Sequence, residues 1–252
     1  MSPLTFVDPP QAPDTFNVLL YGPPKSGKTT AAATAPGPIM WVNLQGGGAL
    51  GYARKVAADR GNDIHEVRVE KDDEVKPVLD QVYLHVRDNR EPKVRTVVID
   101  TIGDVRELLA KNIGKGRQPT QQQWGDIAKT VAGFVVGMRD LPVNVVFIAH
   151  QKVLDSDTGD RIVEPAIGGA ATSKVTAEVD VIGYCGRHTT EDGPRFQAVL
   201  VEHNGRIGGD RSNGLGPVRD LDLAEWLDTY RKALTATGLT APEPLELDGA
   251  AA

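Results

Sequence analysis

Glycine, lysine and a hydroxyl recur at a fixed spacing in Gly22-Pro23-Pro24-Lys25-Ser26-Gly27-Lys28-Thr29, which fits Gly-x4-Gly-Lys-Ser/Thr at every required position. An apolar run precedes it (Phe16, Val18, Leu19, Leu20, Tyr21) and a small-residue stretch follows, Thr30-Ala31-Ala32-Ala33-Thr34-Ala35. Strand, phosphate loop and helix is the order in which this motif works. The glycines allow a turn tight enough for successive N–H groups to converge on phosphate oxygens. The positive end of the following helix reaches the same spot. The stretch therefore predicts a nucleoside triphosphate site built by Gly22, Pro23, Pro24, Lys25, Ser26, Gly27, Lys28, Thr29 and Thr30. Lys28 would reach the β- and γ-phosphates and the Thr29 hydroxyl would ligate Mg²⁺.

A strand of this kind needs a sheet to sit in, and 252 residues are enough to bury one sizeable α/β core. Hydrophobic content of 40% and charged content of 25% suit a globular protein. No stretch approaches the length of a membrane-spanning helix. Residues 1–14 hold four prolines, two acids and no base, unlike a signal peptide. Cys185 is the single cysteine, so no disulfide framework exists and a reducing cytoplasm is the expected setting. A net charge of −6 argues against coating nucleic acid by general electrostatics, though a local basic groove remains open.

Residues 1–14 read as an extended arm, 15–237 as one nucleotide-binding domain and 238–252 as a flexible acidic tail. Strands are predicted at Phe16–Tyr21, Ile39–Val42, Ile64–Val69 (nearer a sheet edge), Thr96–Ile99 and Val143–Ala149. Helices are predicted at Leu50–Arg60, from Val75 to Val86, after Val105, and from Trp124 to Leu141. Lys111–Gln123 reads as a mobile loop. This alternation predicts a mostly parallel sheet covered on both faces. After Gln151 the pattern turns to antiparallel hairpins, one around Asp155–Asp160 and one across Glu191-Asp192-Gly193-Pro194. A short helix at Ser173–Asp180 and a last amphipathic one at Leu221–Leu234 complete the chain.

Asp100 ends a buried-strand run, Thr96-Val97-Val98-Ile99, and fits a magnesium-shell carboxylate on a strand neighbouring the P-loop strand. A strand-terminating Asp is also a common turn initiator. His150 and Gln151 end the next strand, where a polar side chain can bond the γ-phosphate or else simply face solvent.

Thr15-to-Thr30, Val97-Val98-Ile99-Asp100-Thr101, Trp124-Gly125, Val145-to-His150 and Gly208-Gly209-Asp210-Arg211 together resemble the phage-encoded RecA-like ATPases, over residues 15 to 230. That resemblance implies a RecA-like P-loop NTPase core with C-terminal antiparallel hairpins, assembled into rings or filaments with ATP between neighbours. It implies ATP and Mg²⁺ as cofactors and single-stranded DNA as partner, with annealing or strand exchange as the activity. A single-strand-binding protein or another replication component is a further partner, in the cytoplasm of an infected bacterial host. Arg211, and second to it Arg206, would reach the next protomer's γ-phosphate, a solvated ion pair being the alternative. Lys111, Lys115 and Arg117, the hairpin residues Lys152 and Arg161, and Lys174 would face DNA. The sequence departs from the RecA pattern at Gln45, where an acid is expected to activate water. An amide positions water but cannot take its proton as a carboxylate does. Two other readings follow: a nucleotide-gated assembly module with little hydrolysis, and a small-molecule kinase.

Overall fold

The computed structural model describes residues 14–46, 48, 50–155, 161–190 and 193–235. Residues 1–13 of the expected arm (1–14), the acidic tail (238–252), and the turn residues 156–160, Glu191 and Asp192 lie outside the described residues.

The sheet is built around β1 (Asn17–Gly22), whose residues are all buried. In chain order there follow α1 (Lys28–Ala32), β2 (Ile39–Asn43), α2 (Gly51–Asp59), β3 (Ile64–Arg68), α3 (Val75–Arg87) and β4 (Thr96–Asp100). Next come α4 (Ile102–Gly114), α5 (Gln121–Arg139), β5 (Asn144–Asp155), β6 (Arg161–Pro165) and α6 (Ala170–Glu178). The described chain closes with β7 (Val181–Thr190), β8 (Gly193–Val199), β9 (Gly209–Asp210), β10 (Val218–Asp220) and α7 (Leu223–Thr235). Across the main path the strands run β10-β8-β7-β1-β5-β4-β2-β3. From β7 to β3 neighbours are parallel, while β8 and β10 add antiparallel strands at one edge. The expected α/β class, its mostly parallel sheet and the C-terminal hairpins are all present.

Side chains alternate between the two faces of each strand. Leu19, Tyr21, Val97, Ile99, Val145 and Phe147 point to the layer of α3, α4, α5 and α6. Val18, Leu20, Trp41, Val98, Val146 and Ile148 point to α1, α2 and α7. With both faces covered, the strands read as unbroken apolar runs, which is why periodicity located them. α7 is tied to the segment just after the phosphate-loop helix: the Leu223 N–H donates to the buried Thr34 Oγ1 at 2.7 Å.

Three expectations need correction. β4 is not a neighbour of β1, because β5 lies between them and pairs with both. The stretch from Lys111 to Gln123 is a loop only over residues 115–120, with helix at both ends. α4 runs through Lys111 to Gly114, and α5 begins at Gln121 behind a Thr120–Gln123 capping box, leaving residues 115–120 between them. α5 thus starts three residues before Trp124, whose ring has the Arg106 guanidinium 4.2 Å above it. Finally, β5 does not stop at Ala149. It continues through His150 and Gln151 to Asp155, its outer half pairing antiparallel with β6.

Gly22 joins the end of β1 to β7 in a way that tolerates no side chain. Its φ is +150°, and a Cβ there would sit 2.3 Å from the Cys185 carbonyl oxygen. Gly22→Ala is expected to cost about 3 kcal/mol, through backbone strain and the forced separation of β1 from β7. Chemical denaturation checks this, and a loss under about 1 kcal/mol would show that the two strands separate easily.

Candidate active site

The phosphate loop curls over the carboxyl end of β1, where the parallel strands open a crevice. Gly27, at φ +89°, starts α1 in the left-handed region, and a Cβ there would lie 2.9 Å from Leu221 Cδ1. Lys28 is 6% exposed, with its ammonium donating to the Gly22 carbonyl (3.0 Å), the Pro23 carbonyl (2.7 Å) and Ser26 Oγ (3.2 Å). Burial lowers its pKa, while Cys185 and the Asp100 carboxylate oppose that shift. A cavity of about 970 Å³ opens over the loop, lined by Pro24, Lys25, Ser26, Gly27, Lys28, Thr29 and Thr30. Gln45, Asp100 and His150 line it as well, together with Tyr52, Thr101, Ile148, Phe196 and Leu221.

Register explains how distant residues meet here. β5 sets His150 beside Gly22, and β2 sets Asn43 beside Asp100. Asp100 is 6% exposed, and burial pushes its carboxyl up to about 6. The Trp41 indole N–H holds part of that rise back, although it makes no regular hydrogen bond. The charge of Asp104 adds to the rise, and Lys28 and the Thr29 hydroxyl reduce it.

Thr29 and Asp100 thus present a hydroxyl and a carboxylate side by side, the hard oxygen donors that Mg²⁺ takes alongside water and phosphate. Among the described residues no cluster of three or more His, Cys, Asp or Glu side chains could hold a metal alone. These residues fit a cation shared with a bound phosphate rather than a protein-only metal cage.

Of the predicted site residues, Lys28, Thr29, Gln45, Asp100 and His150 converge on the cavity. Gln151 does not line it. Next to His150 on β5, it accepts a hydrogen bond from the Tyr184 hydroxyl at 3.1 Å. Arg211 follows β9, which pairs with the start of β7 beside the start of β1, about 13 Å of strand from Gly22. Its guanidinium bonds Asp180 at 3.3 Å and the Ala177 carbonyl, so it is outside its own chain's cavity. Arg206 stacks 4.9 Å over the Tyr184 ring. Lys111, Lys115, Arg117, Lys152, Arg161 and Lys174 are all exposed, on α4, its following turn, the β5–β6 hairpin and α6.

Several residues that line the cavity or hold its lining in place escaped the sequence reading. Asp104, in the first turn of α4, accepts from the Thr101 hydroxyl (2.6 Å) and from Gln45 Nε2 (3.3 Å). A Thr-x-x-Asp pattern directly after Asp100 was the available signal. The buried Asn43 accepts from the Gln45 N–H at 3.1 Å and donates to Glu66 at 3.0 Å. Glu66 is in turn held by Arg68 and Arg54, and its carboxyl is pulled down to about 2, chiefly by Arg68. Tyr52 and Phe196 are 65% and 43% exposed, and with Leu221 they give the cavity an apolar wall. No local pattern marks that wall, because three distant segments build it.

Residues 15–212 match the AAA domain family. No curated protein matches the chain. Among solved structures, a KaiC-like protein from the archaeon Pyrococcus horikoshii aligns at 16% identity with a TM-score of 0.44, over 74% of this chain and 78% of that one.

The raised carboxyl of Asp100 has a measurable consequence for stability. The folded chain holds this proton more tightly than the unfolded chain does. Stability contributed by Asp100 is therefore full below the unfolded pKa of 3.8 and is lost as pH rises to about 6. In magnesium-free, nucleotide-free buffer, Asp100→Asn should exceed the parent chain by about 3 kcal/mol at neutral pH. The gap should close in acid below the unfolded pKa. A pH-independent gap would contradict the buried-carboxylate account.

Proposed function

The chain belongs to the AAA domain family, and from that premise we propose that it hydrolyses ATP and couples the nucleotide state to single-stranded DNA, promoting annealing or strand exchange in phage recombination or replication. One observation carries the reading. The strand that brings His150 to the cavity runs on without a break into the β5–β6 hairpin, where Lys152 and Arg161 are exposed. A change at the phosphates therefore has a continuous strand leading to the hairpin that presents Lys152 and Arg161.

The loop N–H groups and the Lys28 ammonium would receive the phosphates, with Lys28 exchanging its carbonyl partners for phosphate oxygens. Thr29 and Asp100 would hold Mg²⁺, whose charge neutralises the phosphates when bound. Phe196 and Leu221, lying against Gly27, offer the base an apolar face, and Tyr52 stands at the same cavity. In hydrolysis a water oxygen bonds the γ-phosphorus as its bond to the β-bridging oxygen breaks, and the phosphate product keeps the proton.

Assembly into a ring or filament would let Arg211 or Arg206 serve a neighbour's site, since neither serves its own. Lys111, Lys115, Arg117 and Lys174 would join the hairpin in facing DNA, with replication proteins as further partners in a cytoplasmic setting. Among the described residues no helix is long and apolar enough to cross a membrane. A second reading, nucleotide-gated assembly with little turnover, is favoured by the amide at Gln45.

Steady-state ATP hydrolysis with and without single-stranded DNA tests both, with Lys28→Ala as the blank. The first reading expects turnover above the blank and stimulation by DNA. Turnover indifferent to DNA would remove the DNA coupling. Binding without turnover, together with ATP-dependent oligomers, would favour the second reading. Phe196→Ala should weaken ATP binding about ten-fold or more while leaving inorganic triphosphate binding unchanged, as loss of a stacking face does. Equal weakening of both would remove Phe196 from the base site.

A further inference from the structure

Gln45 stands between two groups that fix which way its amide points. Its Nε2 lies 3.3 Å from Asp104 Oδ2 and 3.0 Å from His150 Nε2. The reversed amide would set Oε1 against a carboxylate oxygen at that same 3.3 Å, acceptor facing acceptor with no proton between them. An amide nitrogen carries two N–H donors, one for each neighbour. This arrangement requires a bare Nε2 on His150, and so an imidazole protonated at Nδ1. The Gln45 backbone is fixed as well, because Asn43 Oδ1 takes its N–H from a buried position.

We propose that Asp104 and His150 lock the Gln45 amide with its nitrogen turned to them and its Oε1 left to accept a hydrogen bond from the attacking water. Asp104 is thereby a positioning residue acting through Gln45, and His150 a second one. The inference rests on the ATPase reading for its consequence, though not for its geometry. It assigns work to an amide where RecA-type ATPases carry an acid: Gln45 orients water and leaves its proton to the phosphate product. Asp104 is itself anchored by the Thr101 hydroxyl at 2.6 Å, and Thr101 adjoins Asp100. The orienting amide and the cation-binding carboxylate are therefore set by consecutive residues of one turn.

Imidazole nitrogen NMR on the full chain tests the geometry without turnover. The chain has five histidines, and the His150 signal is assigned by its loss in His150→Gln. In alkaline buffer His150 should be protonated at Nδ1 and bare at Nε2. Asp104→Ala, which frees the amide to turn, should shift that balance toward Nε2–H. Asp104→Asn, which keeps an acceptor oxygen, should preserve it. For kinetics, Asp104→Ala should lower kcat by roughly 10- to 100-fold, with ATP affinity within about two-fold of the parent. Asp104→Asn should recover most of the loss.

An Nε2-protonated His150 in the parent chain would overturn the proposal, as would an unchanged kcat in Asp104→Ala. A parallel loss of ATP affinity would make Asp104 part of the binding site instead and would equally overturn it. Parent turnover no greater than that of Lys28→Ala would defeat the ATPase reading, and with it the water-orienting role. The imidazole signal would still report whether the amide is locked.

Discussion

Lys28 and Asp100 place an ammonium and a carboxylate in one corner of the sheet edge, each 6% exposed. Desolvation disfavours both charges, lowering the pKa of one group and raising that of the other. A fold that buries such groups must supply partners. For Lys28 these are carbonyls of its own loop, which is why the chain turns so tightly between Gly22 and Gly27. For Asp100 the compensation is partial: an indole N–H that makes no regular hydrogen bond, a hydroxyl and the nearby ammonium. The carboxylate stays under-satisfied, and a bound cation is what would complete it. Ligand affinity and the cost of folding without ligand thus have the same origin.

β5 gives that corner its reach. Its first half is buried in the middle of the sheet between β1 and β4, and its second half leaves the sheet as one arm of a hairpin. Successive residues of a strand face opposite sides. His150 meets Gln45 at the cavity, while Gln151 meets Tyr184, whose ring packs edge-on to Tyr21 at 5.3 Å and lies beneath the Arg206 guanidinium. The Tyr21 hydroxyl then donates to the Ile207 carbonyl at 2.7 Å. The residue pair His150-Gln151 therefore joins the cavity on one side of the strand to a packed aromatic cluster on the other. Gln151 contributes as part of the support on the far face.

What the sequence disclosed was local. The phosphate loop is contiguous, and Asp100 closes an apolar run, so both were legible with the strand and helix order around them. The spatial order of strands was not, because inserting β5 between β1 and β4 is decided by long crossovers that leave no mark near Asp100. The misreading of Lys111–Gln123 came from composition. Its lysines, glutamines and glycines sit on the solvent side of helix ends, while Leu109, Ala110 and Ile127 carry the core contacts. The Thr120–Gln123 capping box was written in that same stretch and outweighs its polarity. Arg211 was marked by a short Gly-Asp-Arg context as a residue for a neighbour's site, and pairing of β9 with the start of β7 puts it at the end of the sheet away from its own chain's cavity.

The amide at position 45 looks like a deficiency when judged against an acid in sequence alone. The surroundings argue otherwise. Asp100 and Asp104 already stand close enough for one charge to raise the other's pKa, and Gln45 Nε2 touches Asp104 directly. A carboxylate at position 45 would be a third negative charge within hydrogen-bonding distance of the second. At about 4 Å and an effective dielectric near 20, like charges repel by about 4 kcal/mol. One of the three would then hold a proton, either surrendering the basic role of an acid at that position or removing the negative charge that Asp100 would offer a cation. With Asp104 bonded to Thr101 and filling the first turn of α4, the neutral donor is the group that fits beside it. The residue at position 45 and the acid at position 104 are one choice made jointly.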